Sequence, residues 1–273
     1  MFQRLMMRPF VKPDFYIETN DRELVRCLDI SYFPNISSNT KQDNSYIITA
    51  MIQDHICQLI DGENVKHIFK ENVLQEIENI IYIQSKVING IFGMHAACIE
   101  KDDKAFIICG NTEAGKTTLT TFLCYDGFSY ITDDMTFLNQ QSCKVCKSFN
   151  PIMLRPASMD VLRKYGVYIH DFYSIKWGNI QRYAFTPYVK DSDNLEVAGI
   201  FFIERTMDSN RIVRLDNTTA FLYLMKSLIY YWKHDAASIR FIKRLVENGC
   251  YRLSYSNMDF ASNVLHKIGE YHG

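Results

Sequence analysis

The run Gly110-Asn111-Thr112-Glu113-Ala114-Gly115-Lys116-Thr117-Thr118 has the residue types and spacing of a phosphate-binding loop. Its two glycines let the backbone bend, so that successive N–H groups turn inward on an anion. Helix-forming sequence begins at Lys116, which aims the positive end of a helix dipole at that anion. Lys116 is placed to reach the β- and γ-phosphates of a nucleotide, and the Thr117 hydroxyl to ligate Mg²⁺. A second acidic signal follows at Asp133-Asp134. Phosphoryl transfer needs a phosphate cradle, a metal, and a group that orients or deprotonates the attacking hydroxyl. One of these carboxylates can hold Mg²⁺, directly or through water, while its neighbour faces the other way and is free to act as a base. An Asp-Asp pair is ordinarily a turn; at the end of a strand beside a phosphate loop it can complete a site.

The flanking sequence supplies the elements that would hold these residues. The apolar run 105–109 is a strand leading into the loop, 94–100 is a strand before it, and 101–104 is a polar turn between them. After the loop helix, Gly127 is a stop signal and 128–132 is a strand ending in the acidic pair. Strand, loop, helix, strand and acidic pair in that order describe the core of a P-loop phosphotransferase. Upstream, the first seventy or so residues alternate turn chemistry with short β-like runs, and 45–60 is strand material ending at the turn Asp61-Gly62. From Leu74 the period becomes helical through Ile77, Ile81, Ile88 and Ile91, until Gly90 and Gly93 end it. The expected organisation is a small β-rich domain over 1–73 and a P-loop domain over 74–273, joined by a helix over 74–93. Downstream, 195–204 and 211–215 read as a hairpin around a turn at 207–210. A helix capped by Asp216 or Asn217 follows, with Phe221, Leu224, Met225, Leu228 and Trp232 on one face as core. A helix over 238–246, a strand over 251–255 and a helix from Asp259 close the chain.

These residues resemble HPr kinase/phosphorylase. The resemblance is carried by Met94-His95-Ala96-Ala97, by the strand and loop from Ala105 through Leu119, and by Tyr130-Ile131-Thr132-Asp133-Asp134. The pattern is most similar to the shorter kinases of bacterial peptide-modification clusters, which share a fold with ATP-dependent phosphoenolpyruvate carboxykinase. It covers 74–162 well and 197–231 loosely; the N-terminal segment is outside it. The resemblance implies a mixed-sheet α/β fold of the HPr kinase/carboxykinase type. It implies a Mg²⁺- and ATP-dependent kinase for a serine or threonine hydroxyl on a peptide or small protein. It also implies that His95 holds an aspartate as an ionised base, with Asp133 the base, Asp134 the metal partner and Arg155 a neutraliser of transition-state charge. The sequence leaves the two aspartates interchangeable. The relatives form oligomers, so the resemblance allows a homo-oligomer.

Two departures stand out. Glu113 occupies a loop position where the family has glycine, and its carboxylate would repel a triphosphate unless it points to solvent or metal. The Glu-(Ile/Val)-Arg-Gly segment of HPr kinases is absent, which separates this chain from the HPr substrate and the reverse phosphorylase reaction. Glu113 therefore leaves room for a catalytically weak nucleotide-binding module that regulates a partner, and a small-molecule kinase is the other alternative. The donor is ATP on the resemblance; the loop alone would also accept GTP or pyrophosphate.

Composition bounds the rest. With 47% apolar and 22% charged residues the chain is an ordinary globular protein, and its net charge of −1 gives no field for nucleic acid or a membrane surface. Arg240, Lys243 and Arg244 read as the wet face of a helix. No apolar run reaches membrane-spanning length, and the first residues lack the features of a signal peptide. Eight cysteines with no secretory signal point to reduced thiols and a cytoplasmic location. Cys143 and Cys146 form a lone Cys-x-x-Cys with no second pair to complete a zinc site.

Overall fold

The computed structural model describes residues 1–38, 40–189, 194–228 and 236–271. The chain is mixed α/β and divides into two compact units: Met1–Ile88 with Asp171–Phe185, and Asn89–His170 with Thr186–Gly273. The expected boundary at 73/74 therefore falls fifteen residues too early, and the first unit recruits a later segment that no local signal marks.

The first unit is built on a six-stranded sheet in the order Ile36–Ser37, Phe2–Met6, Phe15–Thr19, Tyr46–Gln53, Ile56–Asp61, Asn64–Phe69. The pair Phe15–Thr19 and Tyr46–Gln53 is parallel and the rest are antiparallel. The helix Arg22–Tyr32 was not anticipated. Its signals are present: Asp21 caps it by accepting from the Leu24 N–H at 2.9 Å, and Leu24, Val25 and Leu28 form its buried stripe. The helix Val73–Gln84 buries Leu74, Ile77, Ile80 and Ile81, yet stops well before Gly90. Ser85 turns extended at ψ 137° and its hydroxyl donates to the Ile81 carbonyl, so the chain leaves the helix and Lys86–Val87 pairs with Val11–Lys12. The hairpin of Tyr173–Trp177 and Ile180–Phe185 is tied to this unit by the Trp177 indole donating to the Lys70 carbonyl (2.9 Å) and by a bidentate Arg182–Glu78 pair.

The second unit carries the phosphate-binding loop. Its sheet runs Ser129–Thr132, Ala96–Lys101, Lys104–Cys109, Glu196–Arg205, Cys250–Tyr255, Arg211–Arg214. Ala96–Lys101 is antiparallel to both Ser129–Thr132 and Lys104–Cys109, while Glu196–Arg205 lies parallel to both of its neighbours. The expected hairpin between Glu196–Arg205 and Arg211–Arg214 does not form, because Cys250–Tyr255 inserts between them. Both segments have the right local chemistry, but the central position goes to the strand with buried Cys250, Leu253 and Tyr255. One sheet face packs Cys98, Ile107, Val197, Ile200 and Phe202 against Leu224, Phe241, Ile242 and Leu245 of the helices Asn217–Ser227 and Ala236–Glu247. The other face buries Phe106 between Phe128 and Phe201 under the helices Lys116–Tyr125 and Met258–Tyr271. Near-continuous burial on both faces explains why Lys104–Cys109 and Glu196–Arg205 read as apolar runs rather than alternating patterns. Asp216 caps Asn217–Ser227 as expected, whereas Leu228 lies past its last residue and Trp232 lies outside the described residues. Among the described residues no helix is long and apolar enough to cross a membrane.

Candidate functional site

The loop leaves the end of Lys104–Cys109 with the geometry its glycines require. A Cβ on Gly110 would sit 3.0 Å from Ile203 Cγ1 and 3.2 Å from the Ile203 carbonyl oxygen. Gly115 adopts φ 92°, a left-handed conformation that costs an L-residue about 1–2 kcal/mol. Helix Lys116–Tyr125 starts directly after it, with the Leu119 N–H donating to the Gly115 carbonyl at 2.9 Å. Asn111, Thr112 and Glu113 are exposed, Ala114, Thr117 and Thr118 are half-buried, and Lys116 is buried.

Lys116 folds back on its own loop. Its ammonium donates to the Gly110 carbonyl at 2.8 Å and the Asn111 carbonyl at 3.3 Å, and lies 3.2 Å from His95 Nε2. Burial lowers its pKa, and the charges of Asp134 and Asp133 act against that. His95 sits between the strands Ile91–Met94 and Ala96–Lys101, held by its backbone N–H on the Ser227 carbonyl (2.8 Å). Its other ring nitrogen, Nδ1, lies 3.3 Å from Asp134 Oδ1. An ammonium can only donate, so Nε2 is the acceptor and Nδ1–H faces the carboxylate. Burial lowers the His95 pKa first, Asp134 raises it and Lys116 lowers it, and the net shift is downward.

The two aspartates differ sharply. Asp134 is exposed and meets His95. Asp133 is buried at 7% relative exposure, and its Oδ1 has no hydrogen-bond partner. Burial pushes its pKa up to about 7, Asp134 adds to this, and a hydrogen bond from Thr117 and the charge of Lys116 oppose it. The histidine thus joins the second aspartate of the pair, not the first, which sequence order alone does not disclose.

A buried, unsatisfied carboxylate oxygen beside the Thr117 hydroxyl is a hard-oxygen environment that suits Mg²⁺, which takes one or two protein carboxylates and completes its shell with water and phosphate. Among the described residues no group of three or more His, Cys, Asp or Glu side chains is arranged to hold a metal without such additional ligands. Cys143 adopts a left-handed φ of 59° and Cys146 lies in the short strand Val145–Cys146.

Arg155, one residue ahead of the helix Pro156–Lys164, does approach the loop, but its partner is Glu113, with Nη1 2.7 Å from Oε1. Glu113 itself takes φ 69°, the left-handed region where glycine is at ease. Ser158, absent from the sequence expectations, accepts from the Thr118 hydroxyl at 3.1 Å and links that helix to the loop helix. Its signal was the Pro156 that starts the helix.

No protein-family model and no curated protein matches the chain. Among solved structures, the HPr(Ser) kinase/phosphatase from Coxiella burnetii aligns with 66% of this chain and 95% of its own, at 11% sequence identity and a TM-score of 0.32.

Proposed function

We propose that the chain is a Mg²⁺- and ATP-dependent phosphotransferase that phosphorylates a serine or threonine hydroxyl on a peptide or small protein. The observation that carries this reading is the convergence of two differently buried aspartates, His95 and Lys116 at one phosphate-loop mouth. Backbone N–H groups of 110–118 cradle the triphosphate, and Lys116 exchanges its loop carbonyls for phosphate oxygens. The geometry favours the reverse of the aspartate roles implied by the resemblance. Asp133 and Thr117 would hold Mg²⁺, and Asp134, oriented by His95, receives the proton of the acceptor hydroxyl. The new bond joins the acceptor oxygen to the γ-phosphorus, and the bond to the β–γ bridging oxygen breaks to release ADP. Mg²⁺ bound there would neutralise charge on the β- and γ-oxygens.

A second reading, a nucleotide-binding module that regulates a partner, is favoured by one feature: Glu113 engages the arginine expected to neutralise transition-state charge. The test is transfer of label from γ-labelled ATP with Mg²⁺ into a size-fractionated lysate of the source cell. The expected result is a labelled peptide or protein that disappears with Lys116→Ala and falls by about 10²–10⁴ with Asp134→Asn while nucleotide affinity holds. Wild-type transfer by Asp134→Asn would refute its role as base. Label confined to metabolites would indicate a small-molecule kinase, and nucleotide binding without any acceptor would indicate the module.

A further inference from the structure

The loop carries an acidic residue where it has two reasons not to. At φ 69° Glu113 holds a backbone conformation that few non-glycine residues adopt, and its carboxylate belongs to a loop whose N–H groups are arranged for an anion. What Glu113 does have is a partner. Arg155 Nη1 lies 2.7 Å from its Oε1, from a residue that directly precedes the helix Pro156–Lys164. The side chains remain 70% and 64% exposed, so either can swing away without disturbing packing. Lys116 repeats the arrangement, with its ammonium on the Gly110 and Asn111 carbonyls. Both cations at the loop are thus occupied by oxygens of the protein itself. The difference lies in what is released: Lys116 leaves neutral carbonyls, whereas Arg155 leaves a carboxylate.

We infer that Glu113 is an internal occupant of Arg155 that sets how tightly the loop holds a polyphosphate: the incoming anion takes over Arg155 and displaces Glu113. This rests on the phosphate-binding reading of the loop. It makes Glu113 a residue that tunes nucleotide affinity through Arg155, and it gives the departure from glycine a function. An exposed pair of this kind is weak and salt-sensitive, so the effect is modest in size and fades as salt rises.

The experiment is calorimetric titration of the full chain with a non-hydrolysable ATP analogue and Mg²⁺, at low and at about 0.5 M salt. The proteins compared are wild type, Glu113→Gln, Arg155→Gln, the double variant and Lys116→Ala. Glu113→Gln should tighten binding about fivefold at low salt, with the gain shrinking at high salt and largely lost on the Arg155→Gln background. Unchanged or weaker binding by Glu113→Gln, with wild type binding normally, overturns the inference alone; weaker binding would mean that Glu113 instead holds Arg155 in a productive position. A gain that persists in full without Arg155 also overturns it, since Glu113 would then act on the ligand directly. If wild type and Lys116→Ala alike fail to bind, the phosphate-loop reading falls and takes this inference with it.

Discussion

Replacing Asp133 with Asn removes a buried charge and leaves the shape of the side chain. The structure gives the size of the effect. In the folded chain the carboxyl titrates near 7, against an ordinary value of 3.8, because burial and the Asp134 charge outweigh the Thr117 hydrogen bond and Lys116. At about 1.4 kcal/mol for each tenfold change in proton affinity, that displacement has a ceiling of about 4 kcal/mol. The sign follows from the folded pKa lying above the unfolded one. Ionising Asp133 opposes folding, so the penalty is absent below about pH 4, grows between about pH 4 and 7, and is complete above that. In EDTA and without nucleotide, Asp133→Asn should exceed wild type in Tm by only about 2–4 °C near pH 4.5 and by roughly 10 °C at pH 8.5. The assay is a pair of thermal melts across that range, read as the difference between the two proteins so that other titrating groups cancel. Saturating Mg²⁺ with an ATP analogue should raise wild type more than the variant, because Asp133 then has a counter-ion. Melting curves that stay parallel from pH 4.5 to 8.5 would refute the buried, proton-sensitive carboxylate and with it the proposed Mg²⁺ position.

Gly115→Ala should destabilise the second unit by about 1–2 kcal/mol, seen as a lower denaturation midpoint, because the position has φ 92° and a Cβ would lie 3.2 Å from the Tyr255 hydroxyl. An unchanged midpoint would mean that the loop takes another path. Burial pushes the thiols of Cys109 and Cys250 up to about 12, so iodoacetamide at pH 8 should leave both unmodified in the native chain and alkylate both in denaturant. Rapid native labelling of Cys109, read by mass spectrometry, would contradict the packing of the strand that delivers the loop.

Local chemistry made most elements of the second unit readable. The run Lys104–Cys109, the glycines, and the acidic pair at the end of Ser129–Thr132 each act through their own backbone or immediate neighbours. The Asp216 cap and the polar turn before Lys104 are equally local. The helix Arg22–Tyr32 has equally local signals in Asp21 and the Leu24–Leu28 spacing, but turn residues on either side give the segment the same look as the short strands around it.

Other features depend on residues far apart in the chain. Whether Arg211–Arg214 pairs with Glu196–Arg205 depends on a strand some forty residues later that takes the place between them. Ile88 and Ile91 continue a helical period, but the Ile88 N–H donates to the Phe10 carbonyl and Ile91 pairs with Asn139 in a strand, so neither is helical. The return of Asp171–Phe185 to the first unit depends on Lys70 and Glu78, about a hundred residues away. At the site, the residue types that could meet a phosphate are legible along the chain. That His95 faces Asp134 rather than Asp133, that Asp133 is buried with an orphan oxygen, and that Glu113 holds Arg155 all follow from the folded packing. The physical reason is that the types and spacing of residues along the chain fix local conformation, whereas burial and pairing are properties of the surroundings that distant segments supply.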